Sequence, residues 1–202
     1  MEHHNKCHQR EFFNDHADRW DEISIHNMEK VEYIISLLGL KGDESIMDVG
    51  TGTGILIPSY ERMLTTGSVL AVDFSDNMID CCKRKYPEAE HPNVMFKVID
   101  IYDIISEEEF DIVMCYSCFP HFEDHRKAVE IFARSLKNGG KFIIAHSSSR
   151  EHINHVHRHG GSDIQDDVLP SIEEISNIIE GSGLTTIFER SDDDYHIIMA
   201  RK

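Results

Sequence analysis

Residues 48–54 read Asp-Val-Gly-Thr-Gly-Thr-Gly, with three glycines at alternate positions immediately after the apolar run Ser45-Ile46-Met47-Asp48-Val49. Glycine has no Cβ, so it tolerates positive φ and lets a ligand come close to the backbone. A short apolar run closed by such a turn reads as a buried strand passing into a helix. The helix is expected over 55–64, with Pro58 tolerated in its first turn. A chain built around this strand, turn and helix is confined to a small set of α/β architectures.

The pattern repeats downstream. Strands are expected at 68–72, 94–98, 110–115 and 141–145, and helices at 76–85, capped by Ser75 or Asp76, and 125–136. Alternation of this kind predicts a doubly wound, mostly parallel sheet with helices on both faces. After a helix at 171–180, strand-like runs at 185–189 and 195–200 flank the turn Ser191-Asp192-Asp193-Asp194 and predict an antiparallel hairpin at the sheet edge. Residues 10–38 carry apolar positions at helical spacing up to Gly39, a helical lead-in of one or two helices. No linker or repeat divides residues 1–202, so one domain is expected, with 1–40 as the lead-in.

Composition narrows the function classes. The chain has 37 acidic and 20 basic residues and a formal charge of −17. That field disfavours nucleic-acid and membrane-surface partners. Five cysteines are odd in number and too few for a disulfide framework, and no apolar run is long enough to span a bilayer. A cytoplasmic protein acting on a small molecule, as monomer or homodimer, is the expectation.

The glycine turn departs from the G-x-G-x-x-G of dinucleotide sites and lacks the lysine of a triphosphate-binding loop. Asp73 lies 23 residues after Gly50, at the end of the second strand, where a carboxylate can accept from both hydroxyls of a ribose. Asp100, after the third strand, can accept from an adenine amine, with Phe74, Met78 and Ile101 around the ring. Three strand ends then make one nucleoside pocket.

In four segments the sequence resembles the class I S-adenosylmethionine-dependent methyltransferases: 46–54, 72–78, 98–100 and 136–142. The resemblance implies a seven-stranded Rossmann-like sheet with an antiparallel last strand and S-adenosylmethionine as cofactor. It places the loop from Asp48 through Gly50, Thr51, Gly52 and Gly54 against that cofactor, Gly50 and Gly52 at its methionine part. Asp73 then serves the ribose, Asp100 the adenine, and Cys115 with Tyr116 line the site. Thr51 stands where many relatives carry cysteine.

The implied reaction is in-line methyl transfer, which requires no metal but needs an oriented acceptor and a place for its proton. His121, just after the fourth strand, is the candidate base or acceptor-orienting group, with Tyr116 and His146 beside it and Arg150 as a clamp for an anionic acceptor. His152, His155 and His159 would share one face of a helix, either as a solvated surface or as a metal site, and Cys115-x-x-Cys118 is a weak thiol pair. His3-His4 admit the same two readings. Phe12, Phe13 and Trp20 of the lead-in are expected to close over the pocket. Two alternatives to a small-molecule enzyme stay open, a macromolecule methyltransferase and a module that senses the cofactor or a metal without catalysis. The first lacks an Asn-Pro-Pro-Tyr-like segment after the fourth strand.

Overall fold

The computed structural model describes residues 2–160 and 164–202, with side chains from residue 8 onward; His3 and His4 lie outside the described side chains. Seven strands form one sheet: β1 (Ser45–Val49), β2 (Ser68–Asp73), β3 (Val94–Val98), β4 (Phe110–Tyr116), β5 (Leu136–His146), β6 (Thr185–Ser191) and β7 (His196–Arg201). Their order is β3-β2-β1-β4-β5-β7-β6. Strands β1 to β5 pair in parallel, while β7 runs antiparallel to both neighbours and β6 forms the edge. The sheet is thus the mostly parallel, seven-stranded one expected, with its antiparallel C-terminal strand.

Side chains of successive strand residues point to opposite faces, and both faces are covered. Ile46, Ile112, Met114 and Tyr116 pack under α3 (Met28–Leu38) and α4 (Ile57–Met63). Met47, Val49, Val113 and Cys115 pack under α6 (His125–Ser135) and α8 (Ile172–Gly181). Helix α3 shows how the sequence sets this up. Val31, Ile34, Ile35 and Leu38 recur at helical spacing and are all buried, Asn27 caps the first turn, and Gly39 ends the helix at φ 61°. Burying four such aliphatic side chains contributes roughly 1.5–3 kcal/mol each before entropy.

Sheet order reverses between β1 and β4, which opens a crevice beyond the carboxyl ends of the central strands. The lead-in reaches over that crevice as α1 (Glu2–His16), a short 3-10 turn at Ala17–Arg19 and α2 (Trp20–Ile23). It breaks at 24–27 before α3, because the Asn27 side chain accepts from the amides of Glu29 and Lys30 and starts a new helix. Helix α5 (Asp76–Lys85) is capped by Ser75, and α7 (Arg150–His159) by Ser149.

Several boundaries differ from the sequence expectation. Residues 51–56 complete the glycine turn, so α4 starts only at Ile57. Strand β5 starts at Leu136 instead of 141, because Leu136 pairs with Phe110 and the turn at Gly139–Gly140 is absorbed as a register shift. Strand β7 starts at His196, one residue late. Among the described residues no helix is long and apolar enough to cross a membrane.

Candidate active site

A cavity of about 300 Å³ fills the crevice, lined by the ends of β1 to β4 on one side and the lead-in on the other. Its floor is the glycine turn. Gly50 has φ 64°, and a Cβ there would lie 2.6 Å from Cys118 Cβ, so only glycine fits against the β4 loop. Gly52 has φ 57°, yet a Cβ there would meet nothing nearer than the Trp20 indole at 3.7 Å. The first glycine is required by the protein's own packing, and the second leaves space on the ligand side.

Asp73 is buried at the rim of this turn. One carboxylate oxygen accepts from the Gly52 amide and the other from the Ser75 amide, each at 2.9 Å. Burial raises its pKa, while those amides work in the opposite direction. An ionised carboxylate has about four lone-pair positions, so two amide bonds leave acceptor capacity toward the cavity. Asp100 lines the next strand end and accepts from the Tyr102 amide at 3.0 Å, which fixes its orientation. Thr51, Phe74, Met78 and Ile101 complete this half of the lining.

Three residues expected at the cofactor stand behind the wall. Asp48 is buried and accepts from the Thr51 hydroxyl at 2.7 Å, stiffening the turn from beneath, and burial pushes its pKa up to about 7. Gly54 backs onto the Tyr86 ring. Cys115 points to the α6 face, its sulfur 3.2 Å from that of Cys118, and only Cys118 reaches the cavity. Strand alternation puts Tyr116, which does line the cavity, on the opposite face from Cys115.

The lead-in is fastened along its length. Arg10 pairs with Asp76, the Ser75 hydroxyl donates to Asn14 at 2.6 Å, and Arg84 pairs with Asp18. The Thr53 hydroxyl of the glycine turn donates to Asp21, which also pairs with Lys85. Burial works to raise the Asp21 pKa, but hydrogen bonds from Lys85 and Thr53 outweigh it and hold the carboxyl below its usual range. Phe13 meets Trp20, Phe74 and His121 edge-on, at centroid distances of 5.4, 5.8 and 5.1 Å. Phe13 and Trp20 line the cavity, whereas Phe12 packs behind them.

Beyond the half lined by Asp73 and Asp100 lies a second group of polar side chains. Tyr116 places its hydroxyl 2.8 Å from His26 Nδ1 and 2.8 Å from Ser147 Oγ, and His26 Nε2 lies 3.0 Å from Ser24 Oγ. His121 Nδ1 lies 2.7 Å from Asp167 Oδ2. Both His121 and Tyr116 line the cavity. His146 does not: it is buried on the α6 face, in register with His196, and its Nε2 has no partner. Burial, then the neighbouring histidines with His196 first, keep the His146 pKa well below the ordinary value. Arg150 donates to the Leu169 carbonyl at 2.9 Å and is absent from the lining.

His26, Ser24, Ser147, Asp167 and Gln9 carry no site signal in the sequence. They come from segments far apart along the chain, and only the break signalled by Asn27 hints that the residues before it form a loop. The histidines of α7 are exposed except His157; His155 and His159 stack at 4.3 Å and His159 Nδ1 bonds the His155 carbonyl. Among the described residues, no three side chains of His, Cys, Asp or Glu gather as a metal cage.

A family model described as a methyltransferase domain matches residues 47–144. A glycine/sarcosine N-methyltransferase of Parasynechococcus marenigrum is 30% identical over 150 residues, covering 68% of this chain and 51% of that protein. A ubiquinone biosynthesis O-methyltransferase of Xanthomonas oryzae pv. oryzae is 28% identical over 138 residues, covering 64% and 56%. The chain spans about half the length of the curated relatives it matches. The crystal structure of an S-adenosylmethionine-dependent methyltransferase from Aquifex aeolicus superposes with a TM-score of 0.69 at 21% identity, over 84% of this chain and 88% of that one.

Fold and site together define a Rossmann-like domain with a crevice at its topological switch point. Residues 47–144 of the chain match a methyltransferase domain, and its fold is that of the class I S-adenosylmethionine-dependent methyltransferases. Its cofactor is S-adenosylmethionine. The cavity suits that group: Gly52 leaves room for a ligand, two strand-end carboxylates face it, and an aromatic and apolar wall flanks them.

Proposed function

We propose that this chain transfers the methyl group of S-adenosylmethionine to a small, uncharged or cationic acceptor. One observation carries the reading: Asp73, Asp100 and the open face of Gly52 line the same cavity as His121 and Tyr116. Gly50, Thr51, Gly52, Asp73, Phe74, Met78, Asp100 and Ile101 are the proposed cofactor residues. Asp48 holds the turn from behind. When bound, the cofactor supplies a methyl group made electrophilic by its sulfonium.

The chain's own residues handle the acceptor. His121 and Tyr116 offer it hydrogen bonds, and the lead-in, residues 1–40 of a single domain, excludes water from above. Among the described residues that line the cavity, four are carboxylic, Asp21, Asp73, Asp100 and Glu123, and none is Lys or Arg. That balance gives an anionic acceptor nothing to pair with and favours an amine or a neutral hydroxyl compound. The printed names of its relatives include both N- and O-methyltransferases.

The test is a transfer assay with methyl-labelled S-adenosylmethionine against a panel of small amines, phenols and carboxylates. Label appearing in an amine or hydroxyl compound, with S-adenosylhomocysteine released in equal amount, is expected. Binding of S-adenosylhomocysteine with no transfer to any of them would point instead to a sensing role.

A further inference from the structure

We propose that Asp167 is the positioning residue for His121, an inference that rests on the methyl-transfer reading above. The two side chains meet at 2.7 Å and are 12% and 14% exposed, so water competes little for the contact. An ionised carboxylate only accepts hydrogen bonds, so the ring nitrogen that meets it, Nδ1, carries the hydrogen. Nε2 is then the nitrogen with a lone pair, on a ring that lines the cavity.

Asp167 is itself held from two directions. The Gln9 side chain, on α1 of the lead-in, donates to the same carboxylate oxygen at 2.9 Å. His157, on α7, bonds the Asp167 backbone carbonyl through Nδ1 at 2.6 Å. The carboxylate that sets the His121 ring is therefore tied both to the segment that covers the cavity and to the histidine-rich helix. Other groups facing His121 are the His157 ring at 5.0 Å, the Phe13 ring, the Asp73 carboxylate and the buried His146 ring. Those groups act on the ring through packing and field, whereas Asp167 is hydrogen-bonded to its Nδ1.

The chemistry follows from the tautomer. As the acceptor's nitrogen or oxygen bonds to the methyl carbon, the carbon–sulfur bond breaks and its electron pair stays on sulfur. The acceptor's proton passes to His121 Nε2, and the resulting imidazolium is balanced by the Asp167 carboxylate.

The tautomer can be read directly. Long-range 1H–15N spectra of the protein, labelled at histidine, are recorded alone and with S-adenosylhomocysteine. The wild type is expected to show His121 as the Nδ1–H tautomer, Asp167→Asn a mixture, and Asp167→Glu a return toward Nδ1–H. With an acceptor that is turned over, Asp167→Asn should lower kcat about 10²-fold and leave KM for S-adenosylmethionine unchanged. An Nε2–H tautomer in the wild type, or one unaltered by Asp167→Asn, overturns the assignment. Failure of the wild type to bind S-adenosylhomocysteine would instead overturn the methyl-transfer reading, since the tautomer is also read in the free protein.

Discussion

The Tyr116 hydroxyl lies 2.8 Å from His26 Nδ1, and this contact joins the end of β4 to the loop through which the lead-in enters α3. Burial lowers the His26 pKa, with Asp21 opposing, and raises that of Tyr116. Both groups are neutral near pH 7, as a half-buried hydrogen-bonded chain from Ser147 to Ser24 requires.

Replacing His26 with alanine removes that link. A buried hydrogen bond contributes about 0.5–1.5 kcal/mol, so affinity for S-adenosylhomocysteine should fall about 2- to 13-fold, with faster amide exchange over residues 20–27. Because the His26 pKa is lowered in the docked state, docking weakens as pH falls below the ordinary histidine value of about 6.5. Unchanged affinity and exchange in His26→Ala would show that the contact does not hold the lead-in.

The two glycines of the turn should fail in different ways. Gly50→Ala drives a Cβ into Cys118 as well as straining φ, and should lower stability by about 2–4 kcal/mol in thermal or denaturant unfolding. Gly52→Ala bears mainly the strained φ, about 1–2 kcal/mol, yet should lose cofactor binding more completely because its Cβ enters the ligand's space. Equal loss of stability in the two variants contradicts this assignment.

How far the sequence reveals such a site varies with how local the cause is. The glycine turn, the Ser75 cap, the Gly39 stop and Asp73 are legible because each is set by its neighbours in sequence. The antiparallel hairpin is legible too, from strand-like runs on either side of an acidic turn. The pairing of Gln9, His121 and Asp167 joins three distant segments and leaves no periodic trace. His146 illustrates the converse. It follows an apolar strand as a site residue might, but β7 lies alongside and brings His196 against it, so the side chain ends in the core.

That buried pair has its own signature. The pKa of His146 is well below the ordinary histidine value, and that of His196 is lowered to about 4, in both cases first through burial. The unfolded chain then binds more protons than the native one between about pH 4 and 6.5, so stability is full above that window and is lost as pH falls through it. Each histidine adds up to about 1.4 kcal/mol per pH unit to that slope. Replacing His146 with leucine should flatten the decline in chemical-denaturation midpoints from pH 6.5 to 5. An unchanged slope would mean that His146 does not stay neutral in the fold.

Asp73 is the residue on which the cofactor site turns, since its carboxylate bonds the Gly52 amide at 2.9 Å and borders the cavity. Isothermal titration of the wild type with S-adenosylhomocysteine should show one site per chain. Asp73→Asn, which keeps the shape but forfeits the charged acceptor, should weaken binding by about 10- to 100-fold, the equivalent of roughly 1.5–3 kcal/mol. A wild type that gives no binding heat and no thermal shift, or an Asp73→Asn protein that binds as tightly as the wild type, would contradict the assignment of this cavity to the cofactor.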